Sequence, residues 1–152
     1  MNELIRNSID LLKDLIEIES FSFNESKTGN RIEKWFISND IKFKRNKNNV
    51  FAFNKFYNSE KPTILLNSHH DTVKPNKGYN NDPFKSKIEN GKLYGLGSND
   101  AGGSLVSLIA VFTYYYNRQD LKYNLIILAS AEEECSGENG IASIIPTLPK
   151  ID

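Results

Sequence analysis

The chain has 152 residues, enough for one domain with a real core and too few for two. Lysine plus arginine equals aspartate plus glutamate at 19 each, so no net field draws nucleic acid or an anionic membrane to it. Cys135 is the only cysteine, which excludes an internal disulfide framework and a thiolate metal cluster and leaves histidine and carboxylates to hold any metal.

From Met1 to Ile18, residues Leu4, Ile5, Ile9, Leu11, Leu12, Leu15 and Ile16 recur at helical spacing with charged residues between them, which predicts an amphipathic helix. Its acids interrupt the apolar stretch of a signal peptide. No later run reaches transmembrane length. A soluble cytoplasmic protein, with neither membrane nor nucleic acid as partner, is the expectation. A second helix is predicted from an N-cap near Asn24, burying Ile32, Trp35, Phe36 and Ile37, with the two aromatics as core. Ile41 to Arg45 and Val50 to Phe56, on either side of Asn46-Lys47-Asn48-Asn49, predict a hairpin. The basic cluster from Lys42 to Lys47 alternates with apolar residues and reads as the wet face of a strand.

Thr63 to Leu66 is a continuous apolar run, expected to be a strand covered on both faces. Lys74 to Glu89, rich in Pro, Asn and Gly, predicts a loop, and Gly91 to Gly95 a short strand ending in a turn. Leu105 to Phe112 is apolar nearly all round and predicts a buried helix. Leu125 to Ala129 predicts another interior strand, and Ile141 to Ile145 a short helix. Helices alternating with buried strands predict an α/β fold with a mixed, largely parallel sheet flanked by helices. There is no internal repeat and no low-complexity linker.

In open α/β sheets ligands bind beyond the carboxyl ends of the strands, and three polar clusters fall at such places. The first is Ser68-His69-His70-Asp71, which holds both histidines of the chain. A strand puts residues i and i+2 on one face, so His69 and Asp71 point into one crevice. A carboxylate there can take the free N–H of a metal-binding imidazole and fix its tautomer; a turn-capping aspartate is the plainer alternative. The second is Ser98-Asn99-Asp100, set between Gly95-Leu96-Gly97 and Gly102-Gly103. A dinucleotide fingerprint fails here because Asp100 occupies the place of its third glycine and would repel a pyrophosphate. No P-loop lysine and no G-x-S-x-G elbow is present. Asp100 suits a divalent cation, and it can also cap the helix that follows. The third is Glu132-Glu133-Glu134. Three like charges after an interior strand need desolvation or a cation to settle them, and a metal-binding glutamate beside a general base accounts for two; a solvated acidic loop is the alternative. Cys135 reads as a small packing residue.

Leu66-Asn67-Ser68-His69-His70-Asp71-Thr72-Val73, Tyr94-Gly95-Leu96-Gly97-Ser98-Asn99-Asp100-Ala101-Gly102-Gly103 and Glu132-Glu133-Glu134 together resemble the three motifs of the M20 metallopeptidase and deacylase family. The second and third look most like the acetylornithine deacetylase branch. The resemblance implies a zinc-dependent exopeptidase-like catalytic domain with two divalent metal ions, zinc or cobalt. Nitrogen and anionic oxygen ligands suit these better than calcium or magnesium. It makes His69 a ligand of one metal, Asp100 the bridging carboxylate, Glu134 a ligand of the other metal, Glu133 the general base and Asp71 the acid that orients His69. His70 falls at a variable position and is expected on the opposite face of the strand. The implied substrate is a small N-acyl amino acid, N-acetylornithine in arginine biosynthesis; succinyl-diaminopimelate desuccinylase and dipeptidase activities are the alternatives within the family.

Two departures accompany the resemblance. Leu96 and Gly102 stand where the family often has cationic residues. No second ligand histidine follows before Asp152. Residues 1–152 are therefore expected to be the N-terminal part of a metallohydrolase catalytic domain, with its remaining ligands, its C-terminal part and a lid and dimerisation domain absent. The full-length protein is expected to be a homodimer. Residues 1–152 alone are expected to be inactive and to bind metal weakly, because His69, Asp100 and Glu134 are only part of the ligand set; a truncated, non-catalytic product is the competing expectation.

Overall fold

In the computed structural model, which describes residues 2–152, the chain opens with helices α1 (Asn2–Glu17) and α2 (Ser26–Ser38) and the hairpin of β1 (Phe43–Asn46) and β2 (Asn49–Phe53). There follow β3 (Thr63–His69), a ribbon of β4 (Lys87–Glu89) and β5 (Lys92–Tyr94), helix α3 (Gly103–Tyr115), β6 (Asn124–Ser130) and the one-turn helix α4 (Ile141–Ile144). Met1, part of the expected first helical segment, lies outside the described residues.

The main sheet has the order β1-β2-β6-β3. All seven residues of β6 are buried, which accounts for its uninterrupted apolar run. The fold is α/β with a mixed sheet flanked by helices, as expected. Its parallel share is small: β3 runs parallel to β6, while β1–β2 and β2–β6 are antiparallel, because the hairpin meets β6 through its second strand. β3 outruns its apolar stretch by three residues, since the ladder to β6 continues to the pair His69↔Ser130. Both strands therefore end at the same edge of the sheet.

Helices α1, α2 and α3 cover one face, where Leu11, Ile32, Phe36, Val50, Ile109, Phe112 and Ile127 form the main core. The other face carries a smaller cluster in which Ile144 of α4 packs on Phe51 and Leu128. Several expectations shift. The residue before α2 is Glu25, not Asn24, and its side chain does not cap the helix. Ile37 is 64% exposed, because one residue past Phe36 the helix has turned by about 100° away from the core. α3 is buried on one side only, with Val111 and Tyr114 facing outward. Lys87–Glu89, at the end of the expected loop, pairs with β5. In β1 Lys44 is exposed while Arg45 binds Glu33 and Asn30, in keeping with a wet strand face. No helix of the described residues is long and apolar enough to cross a membrane.

His70 leaves β3 on the side opposite to His69, towards α2. It is buried, with Nδ1 2.8 Å from the Thr28 hydroxyl and Nε2 2.9 Å from the Asn48 carbonyl oxygen. A carbonyl only accepts, so Nε2 carries a proton, while Nδ1 faces a hydroxyl whose one proton also has the Glu25 carbonyl oxygen within reach at 2.9 Å. Burial pushes His70 down from 6.5 to about 4.

Two outcomes follow for stability, both read by urea unfolding. Phe36→Ala is expected to destabilise the fold by about 3–5 kcal/mol and Ile37→Ala by less than about 0.5 kcal/mol; equal losses would place the face of α2 wrongly. The unfolded state protonates His70 near 6.5 and the folded state only near 4, so its contribution is complete above pH 6.5 and is lost as pH falls towards 4. That contribution amounts to about 3 kcal/mol. The stability difference between the native chain and His70→Asn should shrink across this window, and a pH-independent difference would exclude His70 as the group.

Candidate metal centre

The in-register parallel pair brings the chain beyond His69 and the chain beyond Ser130 side by side. His69 and Asp71 alternate with His70 and share one side of the extended backbone. Asp100 arrives differently from the sequence expectation: it follows no strand of the main sheet, but lies in the wide turn Ser98–Gly102 that leads into α3. Two glycines shape that turn. Gly97 has φ 73°, in the left-handed region. A Cβ on Gly102 would lie 2.6 Å from Leu12 Cδ1 and 2.7 Å from the Gly97 carbonyl oxygen, so a cationic side chain cannot be accommodated there against α1. Leu96, the other departure, is buried.

His69 is 7% exposed, and its Nε2 lies 3.1 Å from Asp100 Oδ1 and 3.6 Å from Glu133 Oε2. Its Nδ1 faces Asp71, 3.1 Å from the main-chain oxygen and 3.4 Å from Oδ1. His69, Asp100 and Glu134 each offer a ligand atom, all within 4.8 Å of one another. Asp71 is fully buried at its side chain and accepts hydrogen bonds from the Ser22 hydroxyl at 2.7 Å and from the backbone N–H groups of Glu133 and Glu134, both at 3.1 Å.

The charges of this group are unbalanced. The Asp71 carboxylate, outweighing burial, raises His69 from 6.5 to about 9. Burial alone would raise Asp71, but His69, Ser22 and the two backbone donors bring it down to about 2. Glu134 is raised by burial and then by the charge of Asp100. Four carboxylates thus surround one imidazole, a donor set of oxygen and nitrogen that fits a divalent metal ion. The free faces of Asp100 and Glu134 open on a cleft of about 410 Å³, lined also by Thr72, Asn76, Tyr79 and Ser98.

The five residues singled out by sequence, His69, Asp71, Asp100, Glu133 and Glu134, are thus in one place. Glu132 is the member of the acidic run that turns away: it is buried, and its carboxylate accepts from the Asn139 N–H at 3.0 Å and the Asn139 side-chain amide at 2.9 Å. Cys135 is exposed in the outer turn and does not pack as expected, because the chain has already left the sheet. Ser22, Glu25 and Asn49, which accept from or donate to the site's own backbone and side chains, escaped the sequence analysis. Only Glu25 left a trace, as a glutamate where a helix start favours Ser, Thr, Asp or Asn.

Comparison with known proteins agrees with this geometry. The chain is 32% identical over 152 residues to the succinyl-diaminopimelate desuccinylase of Wigglesworthia glossinidia brevipalpis, an alignment covering 95% of this chain and 39% of that protein. Among solved structures, human carnosine dipeptidase 1 superposes with a TM-score of 0.73 at 18% identity, covering 93% of this chain and 35% of that one. The Bacillus subtilis YXEP protein, described as a dinuclear metal binding peptidase from the M20 family, superposes with a TM-score of 0.69 at 20% identity, covering 96% and 40%. At these identities the two structures speak for the fold. The named enzymes thus include a desuccinylase and a dipeptidase, and the narrower acetylornithine deacetylase likeness is not reproduced among them. Residues 65–152, more than half of the chain and all three polar clusters, match Peptidase family M20/M25/M40, so the chain belongs to that family of metal-dependent hydrolases.

Proposed function

We propose that these residues carry out metal-dependent hydrolysis of the amide bond of an N-acyl amino acid, as the N-terminal part of an M20 catalytic domain. The observation that supports it best is the meeting of His69, Asp100 and Glu134 within 4.8 Å, with a further carboxylate, Glu133, 3.6 Å from His69 Nε2. On this reading His69, Asp100 and Glu134 would be the residues that hold two divalent ions, zinc or cobalt. Bound there, the ions supply Lewis acidity towards the scissile carbonyl and the attacking water.

The remaining work falls to the chain's own side chains. Glu133, half exposed and 3.6 Å from His69 Nε2, takes the proton from the attacking water and passes it to the leaving amine. Asp71 does not reach the cleft; it accepts from His69 Nδ1 and so keeps Nε2 free to bind. The 32% identity to a desuccinylase supports N-succinyl-diaminopimelate as the first substrate to test. The motif likeness around Asp100 and Glu133 supports N-acetylornithine as the second.

Calorimetric titration with zinc and cobalt, coupled to an assay of amine release from both substrates, tests the proposal. Expected of these residues within the complete catalytic domain are metal-dependent turnover that chelation abolishes, a loss of about 10²- to 10⁴-fold in Glu133→Gln with metal affinity little changed, and a fall in affinity of about tenfold or more in His69→Ala. Full turnover in Glu133→Gln would remove that residue as the base. Metal binding without turnover would instead identify residues 1–152 as a metal-binding fragment.

A further inference from the structure

The turn that carries Glu133 and Glu134 is held by side chains. Its four consecutive amides donate in order to Asn49 Oδ1 at 3.0 Å, Glu25 Oε1 at 3.1 Å, and Asp71 Oδ1 and Oδ2 at 3.1 Å each. Asp71 belongs to the site already described. Glu25 does not: it lies 107 residues from Glu132 in sequence and is 0% exposed.

Its surroundings argue for a dedicated task. A carboxylate at the start of a helix ordinarily serves the helix's own N–H groups, yet the Glu25 side chain makes no capping bond to α2. It accepts instead from the N–H of Phe23 at 2.8 Å, from the Asn48 side-chain amide at 2.8 Å and from the N–H of Glu132. These donors are neutral and come from three segments: the loop before α2, the hairpin turn and the end of β6. A buried carboxylate is tolerated only when so satisfied, and each charge-assisted bond is stronger than a neutral one. Glu132 needs the support, because its φ of 55° lies in the left-handed region, which disfavours residues with a Cβ. With its N–H tied to Glu25 and its carboxylate tied to Asn139, Glu132 is pinned at both ends immediately before the two glutamates that lie beside His69.

We propose that Glu25 is a positioning residue for this centre: its buried carboxylate fixes the backbone at Glu132 and thereby the aim of Glu133 and Glu134. The link to metal binding rests on the function proposed above; the link to the turn does not.

The experiment joins amide hydrogen exchange with cobalt(II) binding on the full chain, native and Glu25→Gln. In the native protein the amides of Glu132 to Glu134 should be protected, and exchange there at the rate of an open loop would overturn the proposal without any variant. Glu25→Gln should speed exchange at these three amides by about tenfold or more while leaving β6 protected. It should also shift the cobalt(II) ligand-field bands and weaken binding by about tenfold. Glu25→Asp, which restores the charge on a shorter arm, should fall between the two. Unchanged exchange at Glu132 to Glu134 in Glu25→Gln would overturn the role of Glu25. Faster exchange there in Glu25→Gln, together with a native chain that binds no cobalt(II), would uphold that role and overturn the metal reading instead. Altered exchange with native cobalt(II) bands and affinity would overturn the claim that Glu25 sets the aim of the two glutamates.

Discussion

The buried carboxylate of Asp71 is the constraint on which the candidate centre depends. It accepts from the Ser22 hydroxyl and from two successive backbone amides, and it faces Nδ1 of His69. One side chain thereby joins the end of β3, the turn after β6 and the loop between α1 and α2. Removing a carboxylate from water is unfavourable by several kcal/mol unless it is hydrogen-bonded, and charged hydrogen bonds return about 1.5–3 kcal/mol each. The cluster is therefore stable only in the arrangement that also sets His69 against Glu133 and Glu134.

That arrangement needs β3 and β6 to stop together. Their parallel register, from Thr63↔Asn124 to His69↔Ser130, delivers both chain segments to one edge. A one-residue slip would turn His69 towards the helices and His70 towards the cleft. His70 itself helps prevent this, since its ring is bound on both nitrogens among α2 and the hairpin turn. Asp100 depends on α1 for its place: its turn sits against Leu12 closely enough that position 102 has no room for a side chain. The core helices and the sheet thus position the site directly.

What could be read in the sequence follows the range of the interactions involved. β6 was legible because a central strand buries every residue, and His69 with Asp71 because strand periodicity acts over two residues. The roles of Ile37 and Val111 were not, since an apolar residue on a helix carries no sign of whether a neighbour covers it, and both are exposed. The acidic run was legible as a site but not in its parts: Glu132 turns away to Asn139, seven residues on, while Glu133 and Glu134 lie beside His69. Ser22, Glu25 and Asn49 act across 49, 107 and 82 residues, and no local pattern announces a bond of that length. Membership of the family was carried by three motifs, whereas the substrate is not written in them.

The central claim is that His69, oriented by Asp71, shares a metal with the carboxylates that the two strand ends and the α3 turn bring to it. The most direct test is anomalous diffraction at the zinc edge from crystals of the chain grown with zinc. The account predicts a peak about 2.0–2.2 Å from His69 Nε2 and from a carboxylate oxygen of Asp100 or Glu134, with Asp71 still accepting from the amides of Glu133 and Glu134. Zinc bound elsewhere, with His69 uncoordinated, would contradict it.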